Sequence, residues 1–412
     1  MNTDKKYQAI LKKDTRVLFR IKGKNEYLMT NDNGTALDLL VVFLADAKGK
    51  IYSEEARLSF FLVNNPNISS QLEEMNCSFE ELSPSYFRTN PVIDGLIGQS
   101  IGDALGVPVE FLSRDTVRRI GVNEMLGNDC RLSFISRWGN LIPSGAWSDD
   151  TSMTIAAMSS IIRNHGEIDY DDIMKQFLLW WEEGKYSSLD FSFGLGNNIS
   201  CALERYKQNI PPLECGGKGF RDNGNGALMR MFPFSMYCIY KGYNDEETLD
   251  FISKAASITH GHEINVLSCY IYTQFLYECF RTKNPDLAFS IAIRQKEQYY
   301  KTRFSSDAIQ AHEILFEKIH DIDFDPDTIP ESGYVVDSLM IAIYCILRGY
   351  DYEDAITMAV EFGYDTDTNA AIVGSIAGVI YGMEQIPERW LCALRKKDEL
   401  VQIAKQYAEC IS

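Results

Sequence analysis

The stretch GYDTDTNAAIVGSIAG, residues 363–378, determines where the core of the protein must lie. Two aspartates, Asp365 and Asp367, stand directly before a run that is apolar on nearly every side of a helix. A helix of that kind is buried all round and lies at the centre of a bundle. The stretch therefore predicts a central helix over residues 370–382 that begins at an acidic turn.

The helical period extends outward from this stretch over most of the chain. From about residue 91 onward, apolar residues recur at helical spacing, and several of the predicted helices are apolar nearly all round. The further predicted helices cover residues 151–163, 170–183, 249–258, 266–280 and 335–347. Residues 91–412 therefore predict a mainly α, all-helical bundle.

The first 63 residues have a different pattern. Short apolar runs are joined by turn residues such as Gly23-Lys24-Asn25, which is typical of a small antiparallel sheet. The predicted strands cover residues 16–22, 26–30, 39–44 and 56–63. Residues 64–90 carry Asn, Ser and Pro and are interpreted as a linker. The predicted organisation is a small β-rich module (1–63), a linker (64–90) and a helical catalytic domain (91–412).

Composition limits the classes of function. The formal net charge is −18 over 412 residues, which argues against a nucleic-acid partner because such a surface must neutralise phosphates. The ten cysteines are scattered and form no CxxC pair, which indicates reduced thiols. Neither a signal-peptide pattern nor an apolar run of about 18 residues is visible, so we expect a cytoplasmic protein without a membrane partner.

A second acidic turn precedes another predicted helix. The segment Trp147-Ser-Asp-Asp-Thr151 precedes helix 151–163, as Asp365-Thr-Asp-Thr368 precedes helix 370–382. The ordinary interpretation is helix capping, since Ser, Thr and Asp are preferred at helix starts and an acid favours the positive helix end. Two aspartates spaced i, i+2 exceed what one helix start can use, and neighbouring carboxylates repel unless positive charge lies between them.

A hard divalent cation accounts for both acidic turns. Mg²⁺ takes oxygen ligands from carboxylates, hydroxyls and water. Where the two turns meet, their side chains are enough for two neighbouring ions bridged by shared carboxylates. Cys and His are absent from both turns, which argues against zinc. The predicted ligands are Ser148, Asp149, Asp150, Asp365, Asp367 and Thr368.

Glycine-rich segments supply the second part of the predicted site. Phe193-Gly-Leu-Gly196 and Asn223-Gly-Asn-Gly226 both precede predicted helices, although each alone is an ordinary turn. Glycine allows the backbone to approach a ligand, and N–H groups at a helix start bind phosphate. His260 and His262 are spaced i, i+2 and do not share one helix face. We expect one of them to face the site and the other to face away.

Taken as a set, the motifs resemble the ADP-ribosylglycohydrolases, the family that includes dinitrogenase reductase-activating glycohydrolase and the ADP-ribosylarginine and ADP-ribosylserine hydrolases. The matching segments occur in the family's order from about residue 91 to near the C-terminus, and residues 1–90 lie outside the resemblance. They are Gly95–Glu110, Trp147–Thr151, Gly224–Arg230, Thr259-His260 and Asp365–Thr368.

The resemblance implies an all-helical fold that holds two Mg²⁺ ions at the base of an ADP-ribose cleft, with the six ligands named above. It implies that Glu110 lies near the scissile bond, and it makes Glu110, Asp149 and Asp367 the candidate catalytic residues. Ser148 stands where the family commonly has Thr, and Tyr364 stands where a small residue is common. The residues implied to surround the substrate are Gly194, Gly196, Asn223, Gly224, Asn225, Gly226, His260 and Tyr364.

The function implied by the resemblance is Mg²⁺-dependent removal of ADP-ribose from a modified protein, with arginine as the first expected side chain. ADP-ribosylserine or O-acetyl-ADP-ribose is the alternative substrate. A non-catalytic ADP-ribose-binding protein is a second class of function, against which the complete carboxylate set argues. Residues 1–63 raise a third hypothesis, in which they dock a cognate ADP-ribosyltransferase and the protein is an immunity factor. A sheet that merely shields the bundle is an equal alternative.

Overall fold

The computed structural model describes the backbone of residues 5–11, 17–22, 26–29 and 77–82, and describes residues 90–125 and 142–412 with their side chains. The chain divides into two compact units, Met1–Thr89 and Asn90–Ser412. No helix in the described ranges has both the length and the apolar character that crossing a membrane requires. The eight cysteines within residues 142–412 are all free thiols.

The first unit contains a sheet with the strand order β3-β2-β1-β4. β1 pairs antiparallel with β2, with Tyr7 opposite Ile21, and β2 pairs antiparallel with β3 on either side of residues 23–25. β4 pairs in parallel with β1. The strands are β1 (Lys5–Leu11), β2 (Val17–Lys22), β3 (Glu26–Met29) and β4 (Cys77–Leu82).

β4 lies inside residues 64–90, which the sequence pattern indicated to be a linker. Its pairing with β1 makes residues 77–82 part of the sheet. The strand signal is the alternation of Cys77 and Phe79 with Ser78 and Glu80, which the surrounding Asn- and Ser-rich text obscures. The predicted strands at residues 39–44 and 56–63 lie outside the described residues.

The second unit is built from α-helices, which confirms the mainly α class for this part of the chain. The helices are α1 (Pro91–Gly106), α2 (Arg114–Ile120), α3 (Asp149–Arg163), α4 (Tyr170–Glu183), α5 (Asn197–Lys207), α6 (Phe232–Lys241), α7 (Asp245–Ser257), α8 (Glu263–Thr282), α9 (Pro285–Phe289), α10 (Glu297–Arg303), α11 (Ser306–Ala311), α12 (Glu313–Glu317), α13 (Val335–Arg348), α14 (Tyr352–Glu361), α15 (Thr366–Tyr381), α16 (Glu388–Ala393) and α17 (Lys397–Ile411).

All the helices predicted from the sequence are present. α4 and α13 begin where the pattern placed them, whereas α3, α7, α8 and α15 begin two to four residues earlier. The added first turns of α3, α7 and α15 are rich in acidic and hydroxyl residues, which carry no apolar signal but favour the positive end of a helix. The acidic turns before α3 and α15 are therefore the first turns of the helices themselves.

The centre of this unit is the pair α1 and α15, both buried over nearly their whole length. A Cβ atom built on Gly98 would stand 2.2 Å from the carbonyl oxygen of Gly374, and one on Gly102 would stand 2.0 Å from that of Ala370. Packed side chains do not approach a backbone so closely, so these contacts require glycine. The close pairing brings the end of α1 to the start of α15.

The ends of α1 are set by local chemistry. Asn90 caps its start, since the side-chain oxygen accepts a hydrogen bond from the Val92 N–H (3.0 Å), and Pro91 occupies the first helical position. At the other end the chain tightens into a 3₁₀ turn over Val107–Val109. That turn leads directly into Glu110, which is thereby placed at the start of α15.

Candidate functional site

The carboxylates at the starts of α3 and α15 form two overlapping groups. Carboxylate oxygens of Asp103, Asp150 and Asp367 lie within 4.8 Å of one another, and so do those of Glu110, Asp365 and Asp367. Asp367 belongs to both groups, so the two acidic turns do meet in the fold. Together with their neighbours these carboxylates form the acidic cluster, which consists of Asp103, Glu110, Asp149, Asp150, Asp365 and Asp367.

Helix capping does not explain the polar residues of the two turns. Ser148 and Asp365 occupy the capping positions of α3 and α15, but neither side chain makes a capping hydrogen bond. The Ser148 hydroxyl donates instead to Asp150 Oδ2 (2.9 Å), and the Thr368 hydroxyl lies 3.4 Å from the same oxygen. One hydroxyl group from each turn is therefore directed at the same carboxylate of the cluster.

The residue that caps α3 is Asp103, from the last turn of α1. Its carboxylate accepts hydrogen bonds from the Ser148 N–H (2.8 Å), the Thr151 N–H (3.0 Å) and the Thr151 hydroxyl (2.7 Å). Asp103 is not among the site residues predicted from the sequence. A signal was present, because an ionisable residue between Ile101 and Leu105 in an otherwise apolar helix is almost never buried without a partner.

Burial raises the pKa of the aspartates in the cluster. It raises the pKa of Asp103 to about 6, although the three hydrogen bonds oppose the change. Burial, and then the charges of Asp103 and Asp149, raise the pKa of Asp150 well above its ordinary value. Burial, and then the charge of Glu110, have the same effect on the pKa of Asp367. Without added positive charge, the cluster resists full ionisation.

The donor set fits a hard divalent cation. Asp150 Oδ1 is buried and has no hydrogen-bond partner among the described residues. Within residues 90–125 and 142–412, no Lys, Arg or His forms a salt bridge with any of the five cluster aspartates. Carboxylate and hydroxyl oxygens are the ligands that Mg²⁺ and similar ions prefer.

Gly194 lies against the acidic cluster, whereas Gly196 does not contact it. Gly194 has a φ of +90°, and a Cβ built on it would stand 2.3 Å from Asp149 Oδ1, so only glycine fits there. Gly196 precedes the first residue of α5, and a Cβ there would meet no atom within 4 Å. The N–H groups at the start of α5 remain suited to an anion.

Hydrogen bonds hold the segment Asn223–Gly226 beside α15. The Asn225 amide donates to Asp365 Oδ2 (2.6 Å) and to the Ser338 hydroxyl (2.9 Å), so this side chain positions a cluster carboxylate. Backbone hydrogen bonds from Asn225 N–H to the Gly333 carbonyl (3.1 Å) and from Val335 N–H to the Asn223 carbonyl (3.0 Å) hold the segment to the start of α13.

His260 and His262 lie in different surroundings, in line with their i, i+2 spacing. His262 caps α8, since its ring accepts from the Ile264 N–H (3.3 Å). His260 is buried beside the glycine segment: a Cβ on Gly224 would stand 3.7 Å from His260 Nε2, and one on Gly226 would stand 2.9 Å from Cε1. Only His260 therefore lies next to the predicted substrate segment.

A buried chain of hydrogen bonds determines the state of the His260 ring. Burial, and then the charge of Arg230, lower the pKa of His260 to about 3, so the ring is neutral. Arg230 Nη2 donates to the Thr259 hydroxyl oxygen (2.7 Å), which lies 2.9 Å from His260 Nδ1. Because a guanidinium can only donate, the Thr259 proton is available to Nδ1. This favours the ring proton on Nε2, the atom nearest Gly224.

Tyr364 and Glu110 lie at the more exposed edge of the cluster. Glu110 is half-buried, and Tyr364 is 41% exposed and adopts a left-handed backbone with φ of +59°. Tyr364 N–H donates to the Leu112 carbonyl (2.7 Å), which holds the two segments side by side. The cluster therefore has its exposed residues at this edge, whereas most of its aspartates are buried.

The fold and the site define a class of protein: a mainly helical domain in which carboxylates gather at the starts of two buried helices. A model of the ADP-ribosylglycohydrolase family matches residues 85–412. The chain therefore belongs to the ADP-ribosylglycohydrolase family and is a hydrolase.

Three relatives show the extent of the similarity. ADP-ribosylarginine hydrolase Tri1 of Serratia proteamaculans (strain 568) is 29% identical over 353 residues, covering 83% of this chain and 87% of the relative. ADP-ribosyl-[dinitrogen reductase] glycohydrolase of Rhodospirillum rubrum is 26% identical over 309 residues, covering 74% and 91%. A solved structure described as an ADP-ribosylglycohydrolase-related protein complex is 27% identical, with a TM-score of 0.61, covering 78% of this chain and 98% of that chain.

Proposed function

We propose that the protein removes ADP-ribose from arginine side chains of modified proteins and that it requires a divalent cation. The observation that carries the proposal is the acidic cluster, in which Asp367 is shared by two groups of carboxylates. The similarity to an ADP-ribosylarginine hydrolase supports the arginine linkage. The free thiols within residues 142–412 support a reducing compartment such as the cytoplasm.

The cluster offers room for two Mg²⁺ ions, one for each group of carboxylates. Asp103, Asp150 and Asp367, with the Ser148 and Thr368 hydroxyls nearby, would hold one ion. Glu110, Asp365 and Asp367 form the second group. Bound cations supply positive charge that orients the ribose hydroxyls and favours the ionised form of a nearby water. Asp149 belongs to neither group; it lies against Gly194 and adds negative charge to the cluster.

The remaining residues of the site bind and orient the substrate. Glu110, at the open edge, takes or gives the proton as the glycosidic bond breaks. The carboxylates around it stabilise the positive charge of an oxocarbenium-like transition state. Backbone N–H groups near Gly194 and at the start of α5 offset the charge of the pyrophosphate. His260 Nε2–H serves as a neutral donor beside Gly224.

The test is release of ADP-ribose from two peptides of one sequence, modified on arginine or on serine. Activity is measured in EDTA and after Mg²⁺ is restored, for the wild type, Asp149→Ala and Asp367→Asn. Loss of activity in EDTA and in both variants is the expected result. Full activity without divalent cations would refute the metal role, and release from the serine peptide alone would refute the arginine linkage.

The alternative substrates, ADP-ribosylserine and O-acetyl-ADP-ribose, are covered by the same assay. ADP-ribose binding without turnover would favour the non-catalytic alternative, against which the intact carboxylate set argues. No observation on the described residues favours the docking of a transferase to residues 1–63. The proposal is therefore confined to the hydrolase.

A further inference from the structure

Phe111 and Tyr364 form an exposed aromatic pair beside the acidic cluster. Their ring centroids are 5.7 Å apart and the rings are nearly perpendicular, at 78°. Phe111 is 57% exposed and Tyr364 is 41% exposed. Phe111 follows Glu110 in the chain, and Tyr364 precedes Asp365. The aromatic pair is thus an apolar edge on a site that is otherwise lined by acids.

The backbone holds the aromatic pair in an unfavourable conformation. The φ angles of Phe111 and Tyr364 are +64° and +59°, in the left-handed region that bulky residues rarely adopt. Two hydrogen bonds join the segments: Phe111 N–H donates to the Tyr364 carbonyl (2.6 Å), and Tyr364 N–H donates to the Leu112 carbonyl (2.7 Å). Strain of this kind persists where the surrounding structure enforces it, and it is concentrated at ligand sites.

The neighbouring residues anchor the aromatic pair to the helical domain. A Cβ built on Gly363 would stand 2.5 Å from the Arg114 backbone nitrogen, so the two segments are packed without space between them. The Arg114 side chain donates to the Phe362 carbonyl (3.1 Å) and to the Ile329 carbonyl (2.7 Å). The two rings therefore project from backbone that packing and hydrogen bonds hold in place, rather than from a free loop.

Aromatic faces next to carboxylates suit a planar organic cation. In the part of the chain that the structure describes, no Lys or Arg lies over the ring of Phe111 or of Tyr364. A guanidinium is planar and weakly hydrated, and it stacks on aromatic rings. A serine linkage offers neither the charge nor the planar group.

We propose that the aromatic pair recognises the guanidinium through which ADP-ribose is attached to arginine, and so sets the preference for arginine over serine. This inference rests on the proposed function, and it identifies the two side chains that distinguish an arginine linkage from a serine linkage. The guanidinium keeps its positive charge after modification, so the ring faces attract it. The carboxylates of Glu110 and Asp365 repel acidic residues that neighbour the modified side chain. Glu110 then lies next to the bond that breaks.

The test compares kcat/KM for two peptides of one sequence, with ADP-ribose on arginine or on serine. Tyr364→Gly and Phe111→Gly remove each ring, and glycine adopts a left-handed backbone without strain. The ratio of the arginine to the serine value is expected to fall roughly three- to thirtyfold in both variants. Tyr364→Phe, which keeps the ring, keeps the ratio. Tyr350→Ala, which removes an exposed tyrosine between α13 and α14, is the control and also keeps it.

A second readout isolates the charge of the recognised group. Butylguanidinium and the neutral butylurea are compared as inhibitors, and the wild type is expected to bind the cation more tightly, whereas Tyr364→Gly loses that preference. An unchanged ratio in both glycine variants, or equal inhibition of the wild type by the two compounds, overturns the proposal. Failure of the wild type to act on either peptide overturns the proposed function instead, so the two failures are distinct.

Discussion

Gly106 of α1 lies against the backbone of Asp367 at the start of α15: a Cβ atom built on Gly106 would stand 2.4 Å from the Asp367 Cα. The Thr366 hydroxyl reinforces this contact by donating to the Gly106 carbonyl (2.8 Å). The carboxylate shared by both groups of the acidic cluster is therefore placed by the packing of two helices. Its position depends on the absence of a side chain at residue 106.

Replacing Gly106 by alanine is expected to lower the free energy of unfolding by about 1–3 kcal/mol, the usual effect of overpacking. It should also weaken Mg²⁺ binding, because Asp367 must move. Urea denaturation and calorimetric titration measure the two effects. Gly196→Ala is the matched control, since its added Cβ meets nothing within 4 Å and its φ of −75° suits alanine. Equal unfolding free energies for the two variants would contradict the packing argument.

The hydrogen bond from Thr151 to Asp103 is expected to stabilise the fold more than an ordinary buried hydroxyl does. Thr151→Val removes a charge-assisted donor from a buried carboxylate, which should cost about 1.5–3 kcal/mol in urea denaturation. Thr273→Val removes a hydroxyl that hydrogen-bonds with the neutral Ser235 hydroxyl and Cys269 carbonyl, and should cost about 1 kcal/mol. If the two variants are equally stable, Asp103 does not hold α3 in the way described.

The helices and both acidic turns could be predicted because their signals are local. Apolar residues at helical spacing identify α13 and α15, and the pair Asp365 and Asp367 before an apolar run marks a helix start that carries more charge than capping needs. The strand β4 within segment 64–90 was not predicted, because its signal is only a few residues long and its partner β1 is about 70 residues away.

The contacts that complete the site join residues far apart in the chain, and no local pattern encodes them. Asp103 contacts Ser148 across 45 residues, and Asn225 contacts Asp365 across 140 residues. The glycine motif drew attention to Asn225, whose amide is directed at a carboxylate rather than held free for a ligand. The pairing of Phe111 with Tyr364 likewise becomes visible only in the folded chain.

The acidic cluster should make the cation-free protein less stable as the pH rises. Burial raises the pKa of Asp103 from 3.8 to about 6, and the pKa of Asp149, Asp150 and Asp367 is raised well above 3.8. The folded chain therefore holds more protons than the unfolded chain from about pH 4 upward. The contribution of these groups to the free energy of unfolding consequently falls as the pH rises through 6.

Mg²⁺ is expected to offset this loss, and to do so more at about pH 8 than at about pH 5, because its ligands must lose their protons. At a hundredfold excess over Kd the stabilisation should be about 2.7 kcal/mol. Thermal unfolding with Mg²⁺ or EDTA across this pH range measures the difference, and Asp367→Asn should respond less. A gain from Mg²⁺ that does not vary with pH would show that these carboxylates are not its ligands.

His260 is expected to contribute no limb to the pH–rate profile between about pH 5 and pH 8. Its pKa is lowered to about 3 by burial and by Arg230, so it stays neutral throughout that range. His260→Gln should reduce kcat/KM by about tenfold, the effect of one lost hydrogen bond, without moving either limb. Disappearance of the acidic limb in this variant would mean that His260 titrates during turnover.

Glu110 and Asp365 should differ in role although both belong to the second group of carboxylates. Glu110 is half-buried at the open edge, next to the exposed Phe111, whereas Asp365 is held from within by the Asn225 amide. Glu110→Gln is therefore expected to lower kcat by about 10²- to 10⁴-fold, the contribution of a positioned acid or base. Asp365→Asn is expected chiefly to raise the Mg²⁺ concentration at which activity is half-maximal.

The two roles are separated by measuring kcat over a Mg²⁺ titration for each variant. A ligand that has been weakened can be compensated by more cation, because binding is restored by mass action. A missing proton donor or acceptor cannot be compensated in that way. Asp365→Asn should thus regain activity at high Mg²⁺, while Glu110→Gln stays slow at every concentration. Recovery of Glu110→Gln at high Mg²⁺ would instead make cation binding the main role of Glu110 and leave the proton transfer to another group at the open edge.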